Sequence, residues 1–165
     1  QHQYNFLLWH EEDIARSPDV TDARIAMVKR AIDGYNQQRN DWIERIDEAL
    51  IEMLVEAGAK PADDARLNTE TPGSSFDRLS IMSLRIFHLE EQLQRTDVDR
   101  AHIDRINQRL ERCRLQEADL SQSLAELLTD LAAGRKVLRV YRQMKMYNDP
   151  TMNPYLYGRG KKQVA

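Results

Sequence analysis

Apolar residues recur at three- and four-residue spacing along most of the chain, and this spacing predicts amphipathic α-helices. A first, short helix is predicted over residues 3–16. A second, long helix is predicted to begin after a cap at Thr21 or Asp22 and to reach about Ala57, and Gly58 is well placed to end it. The apolar positions of this second helix are Ile25, Val28, Ile32, Tyr35, Ile43, Ile46, Leu50 and Met53.

A long polar segment separates the second helix from the next apolar pattern. Residues 59–75 contain prolines and show no periodicity, so we predict a long loop, which in a compact domain is more often functional than idle. The third helix is predicted to begin with a capping box. In this box Ser74 or Ser75 accepts a hydrogen bond from the amide of Asp77, and the Asp77 side chain reaches back.

Thr96 and Asp99 repeat the capping-box pattern and predict the start of a fourth helix, which ends at Gly134. Residues 137–147 fit a short fifth helix or an extended segment about equally well. Residues 148–165 are predicted to be an irregular basic tail. The pattern therefore predicts one all-α domain, an antiparallel bundle of four main helices followed by a short C-terminal helix or an extended tail.

The composition agrees with long helices, since 31% of the 165 residues are charged and 7% are aromatic. A single cysteine, Cys113, excludes an internal disulfide and a Cys-rich zinc site, and it favours a cytoplasmic location. No apolar run approaches the roughly 20 residues that a membrane span requires. We therefore expect a cytoplasmic protein with no membrane span.

Charge is distributed unevenly along the chain. Residues 134–165 carry a net charge of +7, whereas the rest of the chain carries −10. Basic residues interleaved with tyrosines can bind nucleic acid, but the overall charge of −3 disfavours this partner. We prefer the alternative, in which the basic segment wraps the acidic body of its own or a neighbouring subunit, and we expect a homodimer.

Four segments of the chain resemble a known family. They are NFLLWHEEDIAR (5–16), AIDGYNQQRNDWIERID (31–47), NTETPGSSFDRLSIMSLRIFH (68–88) and VYRQMKMYNDPTMNP (140–154). Together they resemble a bacterial domain-of-unknown-function family, the one numbered 4254. The resemblance covers nearly the whole chain and implies a small bacterial protein of the cytoplasm. It implies no activity and no catalytic residue.

Polar residues interrupt two of the apolar stripes. Arg39 lies on the predicted inner face of the second helix, beside Asn36, and Glu117 lies on that of the fourth. In an up-down bundle the two helices run parallel, so the rise of ~1.5 Å per residue places Arg39 and Glu117 at nearly the same height. We predict that they meet, either as a structural salt bridge that fixes register or as the floor of a ligand site.

The same height argument places the start of the third helix near Arg39. A helix N-terminus presents unpaired amides and partial positive charge, which suit a phosphate or a carboxylate. Alternatively, the capping box satisfies those amides itself. The predicted ligand-binding residues are Asn36, Arg39, Thr71, Ser74, Ser75, Arg78 and Glu117.

We therefore predict a non-catalytic binding or accessory protein for an anionic or phosphorylated small molecule, without a cofactor. The alternative is an all-helical, metal-dependent nucleotide or phosphoester hydrolase, for which the acids in WHEED and in Glu44-x-x-Asp47 are the candidates. The alternative to a metal site is that Asp47 and Glu48 are surface residues that face water. His10 and His88 have no partner at metal-ligand spacing, so we expect surface or core-edge histidines.

Overall fold

The computed structural model describes residues 1–146, 149 and 151–153. Four helices and two short strands make up this part of the chain, which confirms the all-α prediction. In chain order they are α1 (His2–Ala15), α2 (Asp22–Glu56), β1 (Arg66–Leu67), α3 (Pro72–Leu93), α4 (Arg100–Ala132) and β2 (Lys136–Val137). None of the described helices has the length and apolar character needed to cross a membrane.

Side-chain caps fix the N-termini of α2, α3 and α4, whereas α1 has no side-chain cap at Gln1. Of the two caps predicted for α2, Thr21 is the residue that forms it. The predicted start of α3 is wrong by three residues, because the capping box is formed by Thr71 and Ser74, and Pro72 supplies the fixed backbone angle of the first turn. The predicted box at the start of α4 is also wrong, because Asp99 is itself the cap and accepts the His102 amide at 2.7 Å.

Helix α3 packs against each of the other three helices. The principal helix contacts join α3 to α4, α1 to α2, and α3 to both α2 and α1. The long helices α2 and α4 are not among these pairs, and they flank an open groove above α3. The buried apolar residues, which form the core, are Leu8, Val28, Met82, Leu84, Ile106, Leu110, Cys113, Leu124, Leu127 and Leu131.

Eight of these ten core residues come from α3 and α4, and Val28 is the one that α2 contributes. Of the eight apolar positions predicted for α2, only Val28 is fully buried, and Met53 is 62% exposed. The reason is the packing order, because α2 is covered by α1 and α3 but not by α4. The apolar stripe of α2 is wide enough to be covered by three neighbouring helices. Part of it therefore remains exposed at the protein surface.

The long connection between α2 and α3 is not a free loop. Its strand β1 pairs in parallel with β2, with Arg66 opposite Lys136 and Leu67 opposite Val137. Gly134 makes the turn into β2 at a φ of 69°, a conformation that suits glycine. This pairing ties the middle of residues 59–75 to the end of α4.

The C-terminal segment continues from β2 as an extended chain rather than a fifth helix, as far as residue 145. It lies along α2, where Arg142 forms ion pairs with Glu44, at 3.0 Å, and with Glu48. The Gln143 amide donates to Glu44 at 2.9 Å, and the Asn40 side chain donates to that of Gln143 at 2.9 Å. This basic segment therefore contacts an acidic strip of its own chain. Most of the predicted tail over 148–165 lies outside the described residues.

Candidate ligand-binding site

The N-terminus of α3 is occupied by a carboxylate of the chain itself. Asp47 of α2 is 2% exposed and accepts the Gly73 amide at 2.7 Å. Burial raises the pKa of Asp47, and the hydrogen bonds from the Thr71 hydroxyl and the Gly73 amide counteract part of that increase. Asp47 does not face water, so that expectation was wrong. The helix end does attract a carboxylate, but an internal one.

The remaining amides of the first turn are engaged as well. The Ser74 amide donates to the Thr71 hydroxyl at 3.1 Å, and the Ser75 amide donates to the Thr71 carbonyl at 3.0 Å. Thr71 and Ser74 therefore serve the cap. The free amides on which the predicted anion site depended are absent from the described first turn of α3.

Arg39 pairs with a different acid from the one predicted. Its Nε lies 3.7 Å from an Asp77 carboxylate oxygen, whereas Glu117 lies in the open groove with Ile46 and Phe76. The predicted contact between Arg39 and Glu117 is therefore wrong. The physical reason is the earlier start of α3, which turns Asp77 inward to 7% exposure. The buried Asp77 carboxylate is therefore the partner of Arg39 in the position predicted for Glu117.

Asp77 also receives hydrogen bonds from the first helix. The Asn5 side chain donates to Asp77 at 3.0 Å and to the Ser80 hydroxyl at 3.0 Å, and Gln1 donates to Asp77 as well. Sequence reasoning missed this junction. Its signal was a polar residue, Asn5, within the apolar run NFLLW, because such a residue is buried only when a partner satisfies it.

Arg39 lines a cleft between α1, α2 and α3, which we call the Arg39 cleft. Its volume is about 460 Å³. One wall is apolar, and the other residues are amides and charged groups. The lining consists of Leu8, Trp9, Ile81 and Leu84 on the apolar side and of Asn5, Asn36, Arg39, Glu12, Asp13 and Arg16 on the polar side. Asn36 and Arg39, two of the predicted ligand-binding residues, are thus brought together.

The guanidinium of Arg39 is poorly satisfied in this cleft. The side chain is 26% exposed, and its Nε is buried with no hydrogen-bond partner among the described residues. No other hydrogen bond to Arg39 is formed within the described part of the chain, so the Asp77 contact at 3.7 Å is its one charged interaction there. An arginine with unused donors beside a cleft is a typical recognition element for a planar anion.

The other predicted ligand residues lie elsewhere. Ser75 and Arg78 line a groove of about 790 Å³ between α3 and α4. Arg78 forms an exposed ion pair with Glu70 at 3.2 Å, and the groove carries acidic residues from α4 as well as Glu70 from the segment before α3. The structure therefore divides the predicted set among the Arg39 cleft, the α3–α4 groove, the α2–α4 groove and the cap of α3.

The acids proposed for a metal site do not converge. Glu44 is held by Arg142, and Asp47 is buried against Gly73. In WHEED, Glu11 lies 3.8 Å from Arg24 and Glu12 lies 2.8 Å from Arg16. Within the described residues, no group of three or more His, Cys, Asp or Glu side chains is arranged to hold a metal ion.

Fold and cleft together define an all-α protein organised around a central helix, with a small amphipathic cleft on one side of that helix. The chain belongs to the family "Protein of unknown function (DUF4254)", whose family model matches residues 1–140. This match confirms the family that the four motifs indicated. No curated protein and no solved structure is significantly similar to the chain.

Proposed function

We propose that the protein is a non-catalytic binding protein that holds a small molecule in the Arg39 cleft. The observation that carries this proposal is the guanidinium of Arg39, which faces the cleft with a buried Nε that lacks a hydrogen bond to the described residues. A ligand carboxylate or phosphate would satisfy these donors in a bidentate manner. The Asn36 and Asn5 amides lie in the same cleft and supply further polar contacts.

The charges of the cleft limit the class of ligand. Arg39 and Arg16 are balanced by Glu12 and Asp13, and Arg16 is already paired with Glu12. A polyanion such as a nucleoside triphosphate would be repelled by the two carboxylates. A zwitterion with one anionic group for Arg39, a cationic group for Asp13 and an apolar body fits the cleft better. Trp9 would cover the apolar body.

The proposal also covers the source, the location, the helix directions and the assembly of the protein. We expect a bacterial, cytoplasmic protein with its helices antiparallel to their chain neighbours, and we expect a homodimer. The open groove between α2 and α4 supports the dimer, because it exposes Phe76 at 39% beside Ile46 and Leu79.

Tryptophan fluorescence tests the proposal directly. The chain has two tryptophans, and Trp42 lies away from the cleft, where Arg45 packs 5.1 Å from its ring. The Trp42→Phe variant therefore leaves Trp9 as a reporter inside the cleft. We would screen amino acids and small phosphorylated amines by thermal shift and then titrate each hit into this variant.

Arg39→Ala in the same background should weaken binding of a hit at least tenfold, because a charge-assisted pair contributes about 1.5–3 kcal/mol. Arg78→Ala is the matched control, since Arg78 is exposed and pairs with Glu70 in a different groove. A hit that binds Arg39→Ala and the parent equally well would contradict the proposal.

A further inference from the structure

A second cleft, between α1, α3 and α4, carries basic groups. We call it the His88 cleft, and its volume is about 320 Å³. Its basic residues are Arg85, His88, His102 and Arg109. None of the described residues that line it is acidic, in contrast to the Arg39 cleft. Trp9 lies between the two clefts and lines both.

Both imidazoles in this cleft have an unsatisfied ring nitrogen. The Nε2 atoms of His88 and His102 are buried, and neither has a hydrogen-bond partner among the described residues. The ring of His88 is held in place on two sides. Its Nδ1 lies 2.7 Å from a Glu91 carboxylate oxygen, and its face stacks on Trp9 at a centroid distance of 4.6 Å.

The two arginines of the cleft are also without partners. In the described part of the chain, neither Arg85 nor Arg109 forms an ion pair or a side-chain hydrogen bond. Four basic side chains from two helices therefore line one small cleft, and the carboxylates near it, Glu91 beside His88 and Asp97 near His102, pair with neither arginine of the cleft. Both guanidinium groups are available to attract a negative charge that enters the cleft.

We infer that the His88 cleft binds a small oxyanion, of the phosphate or sulfate class, between the imidazoles of His88 and His102 and the guanidinium groups of Arg85 and Arg109. This site goes beyond the proposed function and does not depend on Arg39. A divalent cation is disfavoured, because the two imidazoles have no third ligand of the usual kinds within the described residues. The two guanidinium groups would also repel it.

A His88 ring that carries protons on both nitrogens would donate from Nδ1 to Glu91 and from Nε2 to the oxyanion. The other titratable groups near these rings are His10, 6.4 Å from His88 on α1, and Asp97, which interacts electrostatically with His102.

The probe for the experiment is inorganic phosphate, titrated by calorimetry at one fixed pH. The parent protein should bind phosphate saturably. The His88→Gln and His102→Gln variants should each lose at least tenfold in affinity, in line with one charge-assisted hydrogen bond. His2→Gln should bind as the parent does, because His2 lies in the α2–α4 groove and contacts Ser80.

Further variants distinguish phosphate binding in the His88 cleft from ligand binding in the Arg39 cleft. They also distinguish a loss of binding from a loss of folding. Arg39→Ala should retain phosphate affinity, so failure of the first proposal would leave this one standing. Arg109→Gln is an exposed change on α4, and it should weaken phosphate binding even if a histidine variant does not fold. Absence of phosphate binding, equal affinity in His88→Gln and the parent, or His88-dependent binding of Zn²⁺ instead of phosphate would each overturn the inference.

Discussion

Helices α2 and α3 approach each other closely at Gly73, and replacing this glycine with alanine should destabilise the protein severely. A Cβ at this position would lie 2.5 Å from the Ile43 carbonyl oxygen and 2.9 Å from an Asp47 carboxylate oxygen. Neither neighbour can yield easily, because one is backbone and the other is a buried side chain. The two helices would have to separate.

The magnitude follows from two contributions. Overpacking of a close contact costs about 1–3 kcal/mol. Weakening of the hydrogen bond from the Gly73 amide to Asp47 adds about 1.5–3 kcal/mol, since the acceptor is charged and buried. The better helix propensity of alanine returns at most about 1 kcal/mol. We expect Gly73→Ala to lower the free energy of unfolding by about 2–5 kcal/mol.

Gly34 supplies a matched control, because it lies within α2 and a Cβ there would meet nothing within 4 Å. Gly34→Ala should stabilise the protein by about 0.5–1 kcal/mol. Urea unfolding followed by circular dichroism measures both variants. With a slope of about 2 kcal/mol per molar urea, Gly73→Ala should shift the midpoint downward by roughly 1–2.5 M. If both alanine variants unfold at the same urea concentration, the close contact at Gly73 does not restrict the packing.

The remaining predictions concern the buried acid and the C-terminal segment. Because burial raises the pKa of Asp47, the folded protein binds this proton more tightly than the unfolded chain, and stability should fall as pH rises above about 4. Asp47→Asn retains an oxygen for the Gly73 amide and should flatten this decline in urea unfolding across pH, so an unchanged decline would argue against burial as its cause. Arg142→Ala should release the segment from α2 and speed chymotrypsin cleavage at Tyr141, whereas Arg139→Ala, which removes no ion pair of the described chain, should not. Equal cleavage rates would show that the ion pairs of Arg142 do not hold the segment.

The helices could be predicted from the sequence because the signals for a helix lie among residues that are close together in the chain. Spacing of apolar residues and single caps such as Thr21 fixed the four helices to within a few residues. The start of α3 was misjudged because Thr71-Pro72 and Ser74-Ser75 are both plausible N-terminal signals, and local chemistry alone does not choose between them. The contact with Asp47 selects Thr71 as the cap of α3, since this contact requires a glycine amide on the first turn of the helix.

The site was harder to predict because it depends on which helices touch. The height argument for Arg39 and Glu117 assumed that α2 and α4 pack side by side, whereas α3 is the helix that meets both. Arg39 was identified correctly as a charge on an inner face, but its partner came from α3. The His88 cleft had no sequence signal, because His88 and His102 belong to different helices and show no motif spacing.

The parallel pairing of β1 with β2 has a consequence for the order of folding. It joins Leu67 to Val137 across the whole of α3 and α4, so the loop that it closes is much longer than the connection between any two consecutive helices, and closing it costs more entropy. Contacts with such sequence separation form late, after the local helices and hairpins are in place. We therefore expect the pairing of β1 with β2 to form last during refolding. In pulsed hydrogen exchange, the Asn68 amide, which bonds to the Val137 carbonyl at 3.0 Å, should gain protection after the amides of α3 and α4 do.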